Sequence, residues 1–216
     1  MRVAVAGGHG QIALLLHPLL VAQGDRAVAI VRNPDHADDV RAAGAEPVVC
    51  DLETAAAGEV AAAIRGCDAV VFAAGAGPGS GSERKTTMDL GGALKTIAAA
   101  EQEGARRYVM ISAMGAADPP AGDDVFAVYL RAKAQADGAL RSSGLDATVV
   151  RPGGLTDAPP TGRVSIAARL APGTVPRADV AAVVAAVLAA DGTIGATFDL
   201  VSGETPVADA VAAAGR

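Results

Sequence analysis

Apolar runs of five to seven residues alternate with longer stretches of mixed polarity almost to the end of the chain. The apolar runs fall at 2–6, 27–31, 46–50, 68–74, 106–112, 146–151 and 196–201, and they predict strands. Between and after them, stretches near 11–23, 35–43, 54–65, 86–103, 125–143 and 177–190 carry apolar residues at helical spacing. A run such as Ala69-Val70-Val71-Phe72-Ala73-Ala74 has no polar alternation, so both faces of its strand need cover, as in a parallel sheet. Repeated strand–helix units of this kind predict an α/β fold: a doubly wound parallel sheet with helices on both faces and right-handed crossovers. No solenoid repeat or linker interrupts the pattern, so residues 1–216 read as a single domain, with a small substrate-side region at about 152–176.

Two segments break the rhythm. Gly75 to Ser82 is a glycine-rich loop after the fourth strand, and Thr156 to Pro176 is a Pro/Gly-rich excursion after the sixth. Both leave the C-terminal ends of strands, the edge at which open α/β sheets bind ligands. A loop without a role explains the first nearly as well as a site lid. The second is long for a connection without regular structure, which favours a binding role.

Composition narrows the partners. Hydrophobic residues make up 51% of the chain and aromatics 2%, so the core is built from Ala, Val, Leu and Ile with helices lying close on the sheet. The net charge of −6 argues against nucleic acid or an acidic membrane as partner. No stretch approaches the roughly 18 uncharged apolar residues of a membrane span, and the N-terminus begins as a strand without secretion-signal features. The expectation is a cytoplasmic protein, monomer or homodimer, acting on a small-molecule substrate. Cys50 and Cys67 lack metal-ligand spacing and read as structural thiols, so no metal is expected.

The first strand breaks into Gly7-Gly8-His9-Gly10-Gln11-Ile12-Ala13, which opens the first helix. A strand end that hands a dinucleotide pyrophosphate to the free N–H groups of a helix N-terminus has this layout. Gly7 permits the tight turn, Gly10 lets the backbone approach the phosphates, and Ala13 keeps the third fingerprint position small. A glycine turn between two packed elements is the plain alternative. After the second strand, where an NAD-selective site places Asp or Glu, the chain has Val31-Arg32-Asn33-Pro34. A guanidinium in place of that carboxylate favours NADP(H), with NAD as the alternative.

The fifth strand ends at Ser112, and the following helix contains Val128-Tyr129-Leu130-Arg131-Ala132-Lys133. A spacing of four puts Tyr129 and Lys133 side by side on one helical face. A lysine cation beside a phenol is expected to lower its pKa from about 10, enabling proton exchange near neutrality. With Ser112 orienting a substrate carbonyl, such a group would protonate the oxygen while a nicotinamide hydride attacks the carbon. Tyr129 as a residue merely covering the core is the competing explanation.

These residues, together with Cys50-Asp51-Leu52, Phe72-Ala73-Ala74-Gly75, Val150-Arg151-Pro152-Gly153 and Pro176-Arg177-Ala178-Asp179-Val180-Ala181, resemble the atypical short-chain dehydrogenases/reductases. The resemblance is to their NmrA-like, NAD(P)-binding branch, with its epimerase-like and flavin-reductase-like members, and it runs nearly the whole length. It implies a Rossmann-type domain in which Gly7, Gly10, Gln11 and Ile12 hold the pyrophosphate, Arg32 the 2′-phosphate, and Asp51 and Leu52 the adenine. It further implies that Ala73, Ala74 and Gly75 line the ribose side, and that Pro152 and Gly153 border the nicotinamide. Ser112, Tyr129 and Lys133 would be the catalytic group, Lys133 also anchoring the ribose. His9 stands where the family has a smaller turn residue, and a solvent-facing role is expected for it. Lys95 reads as a solvated lysine, and His17 and His36 as ordinary.

The function implied is an NADP(H)-dependent oxidoreductase reducing a carbonyl or conjugated ring. Two rivals stand beside it: a non-catalytic NADP(H)-binding redox sensor, and, ranked lower for want of a sizeable C-terminal substrate domain, a sugar-nucleotide epimerase or dehydratase.

Overall fold

Side chains alternate along each central strand between two separate apolar cores. In β1 (Arg2–Ala6), Val3 and Val5 point into one core, and Ala4 and Ala6 into the other. The computed structural model describes residues 1–77 and 79–215. Within it β1, β2 (Arg26–Val31), β3 (Glu46–Val49), β4 (Ala69–Phe72), β5 (Arg107–Ile111), β6 (Asp146–Pro152) and β10 (Thr197–Ser202) form a parallel array. With β8 (Arg163–Ala167) and β11 (Thr205–Pro206), the sheet among the described residues has nine strands in the order β11-β8-β10-β6-β5-β4-β1-β2-β3. The doubly wound expectation holds, and the order reverses between β1 and β4, the switch point at which such sheets bind nucleotides.

Helices cover both faces. Residues of α1 (Gln11–Ala22), α2 (Ala37–Ala42) and α7 (Arg177–Leu188) join the first core, with α8 (Val207–Ala214) near the sheet edge. Residues of α3 (Ala57–Ile64), α5 (Ala93–Glu103) and α6 (Val125–Arg141) join the second. Small side chains such as Ala13, Ala61, Ala100 and Ala136 are buried at these contacts, as an aromatic-poor core requires.

Four regions depart from expectation. The 156–176 excursion contains regular structure: β8 (Arg163–Ala167) pairs antiparallel with β10, and β9 (Thr174–Pro176) pairs in parallel with β7 (Gly154–Thr156). The two-residue β11 (Thr205–Pro206) extends the edge beyond β8. The helix expected at 86–103 begins earlier, as α4 (Ser82–Arg84), and passes through a π-wound stretch, Lys85–Gly92, before α5. Helix 35–43 is split into a 3₁₀ turn, Pro34–His36, and α2. Pro78 of the glycine-rich loop lies outside the described residues.

Cys50 and Cys67 are buried free thiols, each raised above the ordinary thiol range by burial. Among the described residues no helix is long and apolar enough to cross a membrane.

Candidate active site

The turn after β1 is built by two glycines with different duties. Gly7 has φ +77°, and a Cβ there would stand 2.6 Å from the Cα of Ala74, so both conformation and space demand glycine. Gly10 has φ −64° and ψ 153° and serves as the N-cap of α1, without a side chain to cap it. The first N–H groups of α1 therefore have no capping acceptor, and they open where a pyrophosphate would lie. Beneath the turn, buried His17 donates from Nε2 to the carbonyl of Gly8 at 2.7 Å. Burial lowers its pKa, so it sits there as a neutral imidazole. His9 does not face solvent freely: it contacts Asp39 at 2.8 Å and stacks on His36 with ring centroids 3.6 Å apart.

At the switch point a cleft of about 980 Å³ opens at the C-terminal edge of the sheet. Its walls bring together Ile12, Ala73, Ala74, Gly75, Ser112, Tyr129, Lys133, Pro152 and Gly153, drawn from five separate chain segments. Gly153 is small for a steric reason, since a Cβ there would meet the carbonyl oxygen of Gly173 at 2.3 Å. Gly7, Gly10, Gln11, Arg32, Asp51 and Leu52 do not line this cleft.

Helix α6 is started by Asp124, whose carboxylate accepts from the N–H groups of Phe126 and Ala127 at 3.0 Å each. From that fixed start Tyr129, Lys133 and Asp137 fall on one face at successive intervals of four residues. Lys133 is 3% exposed, donates to the carbonyl of Ile111 at 3.2 Å and pairs with Asp89 at 3.4 Å. Asp89, 1% exposed, lies in the π-wound stretch, and its other oxygen accepts from the N–H of Ala76 at 3.2 Å. Asp137 is buried and held by Arg151 at 2.9 Å, but its Oδ1 has no hydrogen-bond partner. Burial lifts its carboxyl above the usual range, against the pull of Ser112, Arg151 and Lys133. The hydroxyl of Ser112 is itself buried and lacks a partner of good geometry, although the residue borders the cleft.

One expectation is corrected here. The phenol of Tyr129 is raised, not lowered: burial is the main cause, and the negative charges of Asp89 and Asp137 add to it. Lys133 lies 5.9 Å from the Tyr129 ring centroid, and its charge is opposed by Asp89 at shorter range. The second tyrosine, Tyr108, is spent in the core, its hydroxyl bonded to Thr96 at 2.8 Å.

The ends of β2 and β3 and the loop after β3 carry Arg32, Asp51 and Leu52. Arg32 has a side chain 58% exposed and lies 3.7 Å from Glu53. Glu53 in turn grips Arg84 at 2.7 Å and accepts from Thr87 at 2.8 Å. The hydrogen bond from Arg84 is the main cause that holds its carboxyl below the usual range. An acid thus does stand near Arg32, supplied by the loop after β3 instead of the end of β2. Asp51 accepts from the N–H of Glu53 at 3.0 Å, and the side chain of Leu52 is buried. Lys95 is no solvated lysine: it donates to the carbonyls of Leu52, Glu53 and Ala55 at 2.9–3.0 Å and fixes that loop onto α5. Nothing in the spacing announced Asp89, Glu53 or Arg84, because each acts through a partner distant in sequence.

The sequence model of a family described as NAD(P)H-binding matches residues 7–191. The chain belongs to that NAD(P)H-binding family. A relative from Bacillus subtilis (strain 168), called an uncharacterized sugar epimerase YhfK, is 41% identical over 98% of this chain and 99% of its own. Among solved structures, a Bacillus halodurans protein whose description proposes an NAD-dependent epimerase/dehydratase is 40% identical, with a TM-score of 0.93 over 99% of both chains. The oxidoreductase ylbE from Lactococcus lactis is 25% identical, with a TM-score of 0.86 over 99% of this chain and 96% of that one. Membership of the NAD(P)H-binding family implies a small-molecule dinucleotide ligand.

Proposed function

We propose that this NAD(P)H-binding protein is an NADP(H)-dependent oxidoreductase that reduces a carbonyl or a conjugated ring. The observation that carries the reading is the convergence of Ser112, Tyr129 and Lys133 on one cleft with Ala73–Gly75 and Pro152–Gly153. The uncapped N-terminus of α1 fits a dinucleotide, and Ser112, on the wall of the cleft, fits a residue that orients a substrate. When bound, the nicotinamide supplies a hydride to the substrate carbon. Tyr129 gives its phenolic proton to the substrate oxygen, so that C=O becomes CH–OH, and is then reprotonated from solvent. A phenol raised above its ordinary pKa stays protonated at neutral pH, which suits a donor in the reductive direction. Lys133, held by Asp89 and the Ile111 carbonyl, presents its ammonium to the ribose side and to the phenol. Residues 152–176 supply the substrate side.

Stopped-flow NADPH oxidation with a panel of quinones, flavins and aldehydes tests the reading. Net oxidation with a member of the panel supports it, and tight NADPH binding with no oxidation replaces it with the redox-sensor reading. The names of the two relatives near 40% identity favour a second reading, epimerisation or dehydration of a sugar nucleotide. It predicts a dinucleotide that stays bound and is not consumed. Against it, the excursion after β6 supplies only the short strands β7, β8 and β9 for substrate contacts.

Cofactor choice rests on Arg32. NADPH is expected to bind more tightly than NADH, and Arg32→Ala to narrow the gap by about tenfold, the loss of one charge-assisted phosphate contact. Because Arg84 already engages Glu53, the Arg32–Glu53 approach at 3.7 Å leaves the guanidinium available. Equal affinities for the two nucleotides in calorimetry would remove Arg32 from this role.

A further inference from the structure

The charge of the cleft runs against the charge of the protein. The chain carries a formal net charge of −6, yet the charged residues lining the cleft are Lys85, Lys133 and Arg177 against Asp89 alone. Asp89 and Lys133 oppose one another at 3.4 Å and are almost wholly buried, so the surplus is the pair Lys85 and Arg177. Lys85 gives a hydrogen bond to the carbonyl of Gly77 at 3.0 Å and lies 5.3 Å from the Tyr129 ring centroid. Arg177 opens α7 directly after β9, and among the described residues its sole polar partner is Asp157, reached by Nη1 at 2.8 Å. Asp157 is 75% exposed, whereas the Arg177 side chain is 22% exposed. Exposed ion pairs of this kind contribute little, so a competing carboxylate can join or displace Asp157 at small cost. The guanidinium has donors left over in a planar fork that matches a carboxylate.

The rest of the mouth is apolar. Val125, Phe126 and Leu155 line the cleft although they are large and exposed, Phe126 by 62%. A ligand covering them would remove apolar surface from water, which is the principal drive for binding in a pocket of this type. Leu155 belongs to the 152–176 excursion, and Arg177 follows directly from it, on the substrate side. The pyrophosphate already has the N-terminus of α1.

We infer that the substrate half of the cleft takes an apolar or aromatic carbonyl compound bearing a carboxylate, with Arg177 as the anchor of the anion and Lys85, beside the Tyr129 ring, as a second cation. This rests on the oxidoreductase reading and supplies its substrate class. Neither Tyr129 nor Ser112 can make this selection, since both are neutral groups directed at the reacting oxygen.

The test separates binding from turnover. The full-length protein saturated with NADP⁺ is titrated calorimetrically with para-carboxybenzaldehyde and formylnaphthoic acid, each against its own methyl ester. The acids are expected to bind about tenfold more tightly than the esters, the worth of a charge-assisted contact. Arg177→Gln should remove that preference by weakening the acids alone, and Arg177→Lys should retain part of it. Ester affinity and NADPH affinity should both stay unchanged. The proposal is overturned if acid and ester bind alike, if neither binds, if Arg177→Gln weakens both equally, or if it weakens NADPH. The last result would make Arg177 a cofactor ligand. Turnover of the same probes with NADPH is read separately. Acids that bind through Arg177 but are never reduced, with no oxidation across the wider panel either, leave the anion site standing and remove the oxidoreductase reading. Esters and acids reduced with equal efficiency do the reverse.

Discussion

Gly10→Asp is expected to abolish NADPH binding while leaving the fold intact or slightly more stable. Gly10 has an ordinary extended backbone, φ −64° and ψ 153°, so a side chain is conformationally permitted there. An added Cβ meets only the Gly7 carbonyl at 3.1 Å and the Ala73 carbonyl at 3.9 Å, contacts that a small shift relieves. Aspartate is among the best N-cap residues, and its carboxylate would accept from the first-turn N–H groups of α1. Those are the donors the pyrophosphate needs, and a fixed negative charge among them repels it as well. The mutant side chain thus satisfies the helix and excludes the ligand by one act. Gly7→Asp would be uninformative by comparison, because at φ +77° and 2.6 Å from the Ala74 backbone it disrupts the turn itself. The check is calorimetric titration with NADPH beside a thermal melt. Normal binding by a folded Gly10→Asp protein would show the turn to be structural.

Tyr129→Phe is expected to reduce turnover of any accepted substrate by about 10² to 10⁴, the usual contribution of a positioned general acid. NADPH affinity should barely change, since the ring and its packing remain. The raised phenol adds a pH signature: wild-type turnover should show no fall as pH passes the ordinary tyrosine value of about 10. Asp89→Asn removes the main opponent of the Lys133 charge and one of the charges raising the phenol, so a fall should then emerge at lower pH. Lys133→Met should weaken both turnover and nucleotide binding. It also strands the Asp89 carboxylate in the interior, at a cost of about 3–5 kcal/mol, so its kinetics need a melting curve alongside. Undiminished activity in Tyr129→Phe would assign the proton to solvent or another group.

The central architecture was legible because continuous apolar runs such as Ala69–Phe72 and the alternation of Val3, Ala4, Val5 and Ala6 between two cores are local properties of the chain. Tyr129 and Lys133 were legible as a pair because helical spacing alone puts them side by side. What escaped depends on tertiary partners. The strands β7 and β9 are three residues long, and Pro and Gly obscure them, so they exist only because each pairs with the other. Glu53 takes on its role only because Arg84, thirty-one residues on, is folded against it. The sign of the Tyr129 shift failed for the same reason. The neighbouring cation was visible in sequence, but the burial and the Asp89 carboxylate, brought from another element, were not.

The π-wound stretch makes the position of Asp89 a matter of counting. A π turn holds a surplus residue relative to an α-helix, whose residues are spaced by about 100° around the axis. Deleting Gly91 removes the surplus residue, so that Lys85–Gly92 relaxes to ordinary winding with its flanks in phase, but the wide turn that carries Asp89 is lost. Asp89 would then turn off the axis that joins it to Lys133 and to the Ala76 amide, although every polar residue of the site would still be present. Here the reading frame of a helix, more than the identity of any side chain, determines whether the lysine has its counter-ion.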